Sequence, residues 1–315
     1  MAIANHACSF LFNSSGSGKT KLILDGLCDH WGIYITCQPG KFAAIGSNDF
    51  KVATRILADL STWDPNNQKF RDNPTEADRA FTMLLCARVF VFKQFLDRIP
   101  LQTDARTARR RWLLLQTLPG RILPGEDIFA EVLKALRPTC TFTMQRHILA
   151  MLTAAITEDL FPTHPPSIFL VIDEAQVATC GFKKIFHSHN REINEHPILL
   201  AMRRFFQDIH IFRGTIVIGT GLSTDMVKKT TIWAASAKRM GESQTPIVFT
   251  DLTLFHTHLL QDAYVRRYLV FSDDDVSDQR LRERIQYWFS GRYAHYSILS
   301  FIADAQIIDP VLLPA

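Results

Sequence analysis

The pattern of apolar and polar positions divides the chain into short apolar runs and longer stretches of helical spacing. Five runs are apolar and β-branched, as strands buried on both faces of a sheet are. They cover residues 7–12, 32–37, 167–173, 215–218 and 245–252. Leucines at helical spacing follow the first run, over residues 19–30. Strand, helix and strand in this order form a βαβ unit, so we predict an α/β fold with a parallel sheet.

Two parts of the chain show helical periodicity without convincing strands. Residues 48–160 predict several helices, including one at about 105–118, and we interpret them as a helical insertion. Residues 253–315 predict helices at 255–269, 277–289 and 293–307. The predicted organisation is a nucleotide-binding domain over residues 1–252 and a C-terminal helical lid domain over residues 253–315.

A turn rich in glycine and serine joins the first strand to the first helix. It ends in Gly18, Lys19 and Thr20, which match the end of the phosphate-loop pattern G-x-x-x-x-G-K-[ST]. Asn13 stands where the first glycine of that pattern usually is, and Asn tolerates positive φ better than other non-glycine residues. The alternative is a plain surface turn, but that does not account for the strand before it and the helix after it.

The residue types of this turn suit a nucleotide triphosphate. Gly16 and Gly18 let successive N–H groups point at one anion, and the helix adds its positive end. Lys19 can reach the outer phosphates, and the Thr20 hydroxyl can bind Mg²⁺. The predicted nucleotide contacts are Asn13, Ser14, Ser15, Gly16, Ser17, Gly18, Lys19, Thr20 and Lys21.

Two adjacent carboxylates end the third apolar run. Asp173 and Glu174 follow five apolar residues, at the end of a predicted strand where open α/β sheets bind ligands. We expect Asp173 to hold Mg²⁺, generally through water, and Glu174 to orient or deprotonate an attacking water. The alternative is an acidic helix start, since Asp and Glu favour that position.

Composition adds limits rather than a function. The chain has 315 residues, 47% of them hydrophobic, and a net charge of +4, which by itself says little about nucleic acid. Six scattered cysteines without a C-x-x-C pair indicate buried thiols in a reducing compartment. We see no signal peptide and no stretch of roughly 20 apolar residues, so we expect an intracellular protein.

Four arginines cluster on the helix predicted at 105–118, namely Arg106, Arg109, Arg110 and Arg111. A solvated helix face is one interpretation, and a phosphate or nucleic-acid patch is the other. No Asn-Lys-x-Asp pattern that would read guanine is present, so ATP is preferred over GTP.

The Asp173-Glu174 pair, together with the phosphate loop, resembles the additional-strand class of phosphate-loop ATPases. That resemblance implies a five-stranded sheet of order 5-1-4-3-2 in a three-layer fold. It also implies a first sensor at Thr220, with Ser223 in reserve, unless this turn contacts no ligand. An arginine finger at Arg203 or Arg204 and a lid arginine at Arg292 are further expectations, each weighed against an ordinary surface arginine.

Within that class, the chain resembles the ATPase modules of fungal Crinkler-type proteins. The likeness implies an ATP-binding module in which slow Mg²⁺-dependent hydrolysis drives a conformational switch, with possible self-association. A non-hydrolysing, nucleotide-bound interaction protein and a nucleic-acid-directed ATPase stay open as alternatives; the protein partner is unknown, and no membrane contact is expected. The segments that carry the likeness are residues 10–28, 30–34, 45–47, 87–91, 170–176, 218–223 and 291–293.

Overall fold

The chain forms two compact units, each described by itself. The first comprises Met1–Leu11 and Ile23–Val248, and the second comprises Phe12–Leu22 and Phe249–Ala315. The computed structural model describes residues 8–12, 18–38, 45–55, 57, 73–123, 126–164, 167–180, 198–207, 209–220, 247–249, 262, 266 and 275–289. Within these residues, no helix combines the length and the apolarity that crossing a membrane requires.

A five-stranded parallel sheet organises the protein. Its strands are β1 (Cys8–Phe12), β2 (Gly32–Thr36), β3 (Ile168–Asp173), β4 (Phe212–Gly219) and β5 (Ile247–Phe249). They lie in the order β2-β3-β4-β1-β5, which is the predicted order read from the opposite edge. Every residue of β1, β2 and β3 is buried, as their continuous apolar runs predict.

Helices connect and cover the strands. The helix after β1 is α1 (Lys19–Asp29), and the last described helix is α10 (Val276–Phe289). In its described residues the insertion between β2 and β3 is helical, as predicted, and contains α2 (Asp49–Thr54), α3 (Asn73–Arg98), α4 (Ala105–Thr117), α5 (Pro119–Ile122), α6 (Ile128–Thr139) and α7 (Phe142–Leu160). The helices between β3 and β4 are α8 (Ala175–Cys180) and α9 (Ile198–Gln207). The helices predicted at 255–269 and 293–307 fall outside the described residues, apart from isolated positions of the first.

Helix α4 covers the free edge of β2. Gln116 accepts a hydrogen bond from the backbone N–H of Tyr34 at 2.8 Å and donates one to the carbonyl of Gly32 at 3.1 Å. The indole N–H of Trp112 donates to the same carbonyl at 2.8 Å. The glutamine amide thereby replaces a neighbouring strand, and it satisfies backbone groups that an edge strand would otherwise leave open.

A buried ion pair joins α2 to α3. Asp49 begins α2, and its carboxylate accepts hydrogen bonds from Nε and Nη2 of Arg88, the second at 2.8 Å. Both side chains are 0% exposed, and the guanidinium lies 4.1 Å from the centre of the Phe129 ring of α6. Because a buried charge is tolerated only with a well-placed partner, this pair ties three helices together at one point.

An aromatic cluster packs α3, α4 and α6 against each other. Trp112 of α4 lies 4.6 Å from Phe92 and 5.5 Å from Phe95, ring centre to ring centre. Its edge meets Phe129 at 5.9 Å. Such tilted and edge-on pairs add to the energy of burial, so the insertion has a core of its own.

Candidate functional site

The carboxyl ends of β1, β3 and β4 lie at one edge of the parallel sheet, because the three strands are neighbours and run in the same direction. The predicted residues Asp173 and Glu174 lie at the end of β3, and Thr220 lies at the end of β4. These three belong to the first unit. Such an edge is where open α/β sheets bind ligands.

Two donors among the described residues orient Asp173. It is the last residue of β3 and is 4% exposed. Its Oδ2 accepts a hydrogen bond from the Tyr34 hydroxyl at 2.7 Å, and its Oδ1 accepts one from the backbone N–H of Glu174 at 2.8 Å. These two contacts fix the plane of the carboxylate.

Tyr34 belongs to the candidate site, and no role was predicted for it from the sequence. In the register of the sheet Tyr34 lies opposite Val171, so its side chain shares a face with Asp173 two residues further on. Burial, and then the charge of Asp173, raise the pKa of the Tyr34 phenol above its usual range. Tyr34 therefore remains a hydrogen-bond donor at physiological pH. In the sequence, Tyr34 stands out only as an aromatic hydroxyl in a mostly apolar strand and as the last residue of the segment 30–34 that carries the resemblance.

The neighbouring Cys37 is a buried thiol. Its backbone N–H donates to the Asp173 carbonyl at 2.9 Å. Burial, and then the charges of Asp173 and Glu174, raise the pKa of Cys37 well above the usual thiol value. The thiol therefore stays protonated at physiological pH.

Glu174 occupies a turn between β3 and α8. Its φ of 53° is the one positive value among the described residues other than glycine. Residues other than Gly, Asn and Asp seldom adopt this conformation, which costs of the order of 1–3 kcal/mol and persists where surrounding contacts enforce it. The turn lets the chain leave the strand and enter α8 within one residue.

Gln176 contacts both Glu174 and Thr220, and no role was predicted for it from the sequence. Its Nε2 donates to Oε2 of Glu174, and its Oε1 accepts from the backbone N–H of Thr220 at 3.0 Å. The first turn of α8 thus connects the end of β3 to the end of β4. Gln176 lies in the segment 170–176 that carries the resemblance, but its role could not be predicted from the sequence because its second contact is 44 residues away.

The described end of the predicted phosphate loop lies in the second unit. Gly18 has a φ of 82°, and its carbonyl accepts the backbone N–H of Leu22 in the first turn of α1. Lys19 begins α1 and is 6% exposed, whereas Thr20 is half-buried and Lys21 is exposed. The positive φ of Gly18 agrees with the predicted need for glycine there.

Several predicted residues lie outside the described part of the chain. They include the loop residues Asn13, Ser14, Ser15, Gly16 and Ser17. The reserve sensor Ser223 and the lid arginine Arg292 are outside it too. Arg203 and Arg204 belong to α9, but their side chains are not described.

Two of the four clustered arginines attach α4 to the end of α1. Arg106 Nε lies 3.2 Å from Oδ1 of Asp29, and Arg109 Nε donates to the Cys28 carbonyl at 3.1 Å. Arg110 and Arg111 are exposed. These contacts favour the interpretation of a solvated, ion-paired helix face over a dedicated nucleic-acid patch.

The donor set at the end of β3 fits magnesium bound to a nucleotide. Such Mg²⁺ keeps several waters and takes one or two carboxylates besides the phosphates. Asp173 supplies one buried carboxylate with a fixed orientation. Among the residues that have described positions, no group of three or more His, Cys, Asp or Glu side chains could hold a metal ion. An all-protein metal cage is therefore not formed by that part of the chain.

The grooves of the helical insertion are separate from these residues. One, of about 1070 Å³, is lined by α3, α7 and the segment before β4, and includes Arg146 and His210. The other, of about 520 Å³, lies between α3, α4 and α6 and is mostly apolar. Neither is lined by Asp173, Glu174 or Gln176, so the case for a site at the end of β3 comes from its side-chain geometry.

Comparison with protein-family models, curated proteins and solved structures found no match for this chain. Its function must therefore be argued from the residues themselves.

Proposed function

We propose that this protein binds ATP with Mg²⁺ and hydrolyses it slowly as a conformational switch, as a phosphate-loop ATPase resembling the Crinkler-type modules. The observation that carries the proposal is the end of β3. There, buried Asp173 is oriented by Tyr34 and Glu174 is held on a strained turn. Strained backbone next to an oriented carboxylate is typical of a functional site rather than of a plain helix start.

The position of β1 supports the same proposal. Its carboxyl end lies at the sheet edge that also carries the ends of β3 and β4. The residues that follow β1 in sequence are the predicted phosphate loop, ending in Gly18, Lys19 and Thr20. Phosphate-loop enzymes bind the nucleotide between a loop and a strand end of this kind.

Each residue has a role in this proposal. Lys19 and the loop amides would stabilise the charge of the phosphates, and Thr20 and Asp173 would hold the metal ion, Asp173 through water. Bound Mg²⁺ would supply neutralisation of phosphate charge. Glu174 positions the attacking water, and Thr220 senses the γ-phosphate. The lid arginine Arg292 completes the proposed set.

Steady-state phosphate release tests the proposal. We expect the parent protein to release phosphate from Mg-ATP. We expect Glu174→Gln to bind Mg-ATP as the parent does, but its kcat should fall by about 100-fold or more, since a positioned base contributes that much. Glu126→Gln, at an exposed glutamate of the helical insertion, is the matched control and should keep the parent kcat. Turnover by Glu174→Gln at the parent rate would remove Glu174 from the mechanism. Binding without turnover in the parent would favour the non-hydrolysing interaction protein.

A further inference from the structure

Gln176 makes two hydrogen bonds that point in different directions. Its Nε2 donates to the carboxylate of Glu174, and its Oε1 accepts the backbone N–H of Thr220 at 3.0 Å. Glu174 follows β3, whereas Thr220 follows β4. One side chain therefore connects the proposed base with the strand end that carries the proposed sensor.

The orientation of the Gln176 amide follows from its partners. A backbone N–H can only donate, so the oxygen of the amide must face Thr220 and its nitrogen must face Glu174. Glutamate at this position would bring a second carboxylate beside Glu174, and leucine would lose both hydrogen bonds. Glutamine alone offers a donor and an acceptor at this reach without adding charge.

The strained turn makes the contact between Glu174 and Gln176 possible. Two residues that are two positions apart do not face each other on a regular helix. Glu174 lies before α8 and has a φ of 53°, so it is outside the helical path. The backbone conformation that is unusual for glutamate is thus the one that allows the glutamine to hold it.

We propose that Gln176 is a positioning residue that makes the placement of the Glu174 carboxylate depend on the end of β4. This inference rests on the proposed function, in which Glu174 orients water and Thr220 senses the γ-phosphate. A displacement of Thr220 on nucleotide binding is passed to Glu174 through one amide. The rate of hydrolysis thereby depends on the position of Thr220 at the end of β4.

The test compares Gln176→Leu with the parent and with a matched control. Gln176→Leu should lower kcat by up to about 100-fold, because a base displaced by about 1 Å loses that much. Its Kd for Mg-ATP should stay within about twofold of the parent, as expected when an interaction that serves only the transition state is lost. The control is Gln145→Leu, which removes a buried glutamine whose amide donates to the Cys140 carbonyl in the same unit. It should lower stability and leave kcat unchanged.

Hydrogen exchange at the Thr220 amide supplies a readout that needs no turnover. Without nucleotide, the Thr220 amide should exchange faster in Gln176→Leu than in the parent or in Gln145→Leu, because its acceptor has been removed. Unchanged exchange would show that the hydrogen bond is not made and would overturn the inference.

The remaining outcomes separate the inference from the proposed function. A parent that neither binds nor hydrolyses Mg-ATP overturns the proposed function and, with it, any catalytic role of Gln176. If the parent hydrolyses ATP and Gln176→Leu keeps or raises its kcat, the inference alone fails. An equal fall in kcat for Gln145→Leu would assign the effect to stability and would also overturn the inference.

Discussion

The end of β3 and the contact between α2 and α3 both place charged side chains out of water, but they do so in different ways. Asp49 and Arg88 form a direct ion pair, with both side chains 0% exposed. At the end of β3, the described donors to Asp173 and Glu174 include groups without formal charge, the Tyr34 hydroxyl and the Gln176 amide. The Asp49–Arg88 pair is buried between helices, whereas the carboxylates of Asp173 and Glu174 are oriented separately at the sheet edge.

The backbone conformation also differs between the two places. Asp49 begins a regular helix, and its Oδ1 accepts the N–H of Phe50 at 2.9 Å. Glu174 has a positive φ that no regular element uses. Glu174 has a strained backbone, whereas Asp49 lies in a well-packed ion pair. This combination is expected when a stable fold carries a functional site.

The largest expected effect concerns the scaffold. Arg88→Met leaves the Asp49 carboxylate buried without its partner, so the free energy of unfolding should fall by about 3–5 kcal/mol in chemical denaturation. Lys93→Met is the matched control, because Lys93 on the same helix pairs with Asp97 and Asp159 near the surface. It should lower the unfolding free energy far less. Equal losses in the two variants would show that burial of the Asp49–Arg88 pair carries no special weight.

A smaller effect is expected at the proposed site. Tyr34→Phe leaves a buried oxygen of Asp173 without its hydroxyl donor, so the free energy of unfolding near pH 7 should fall by about 1–3 kcal/mol. Mg-ATP binding should weaken as well, because the carboxylate is less well oriented.

The pH dependence of the Tyr34→Phe effect has a defined sign. The pKa of Tyr34 is raised in the folded protein above the ordinary value of 10.0, so the unfolded chain loses this proton first as pH rises. The stabilisation by Tyr34 is therefore complete below pH 10 and declines above it, by up to about 1.4 kcal/mol per pH unit. The difference between parent and variant should shrink above about pH 10. A constant or growing difference would contradict the assigned role.

The smallest expected effect measures the strain at Glu174. Glycine adopts positive φ freely, whereas alanine does not, so Glu174→Gly should unfold with a free energy about 1 kcal/mol higher than Glu174→Ala. Both variants lack the Glu174 carboxylate, so the difference in their free energies of unfolding reports the backbone conformation. At an ordinary helical position such as Glu131 of α6, the same pair should show the opposite order. A glycine variant that is less stable than the alanine variant at 174 would rule out strain at this turn.

The sequence predicted the sheet well because each strand is a local apolar run. The run before Asp173 is enough to predict a buried strand, and five such runs with helices between them predict a parallel sheet. The side-chain contacts are different, since Tyr34 and Asp173 are 139 residues apart, and Arg88 and Asp49 are 39 apart. No local pattern encodes these partners. Gln176 is adjacent to the predicted motif, but its importance depends on Thr220 and on the positive φ of Glu174, which the sequence does not display.

The proposed function requires that this protein bind Mg-ATP and that Lys19 contribute to the binding. Calorimetric titration with Mg-ATP tests it most directly, using the parent, Lys19→Ala and a control, Lys51→Ala, at an exposed lysine of α2. We predict saturable heat for the parent and for Lys51→Ala, and its loss or strong weakening for Lys19→Ala. No heat on mixing the parent with Mg-ATP, or unchanged binding by Lys19→Ala, would contradict the account.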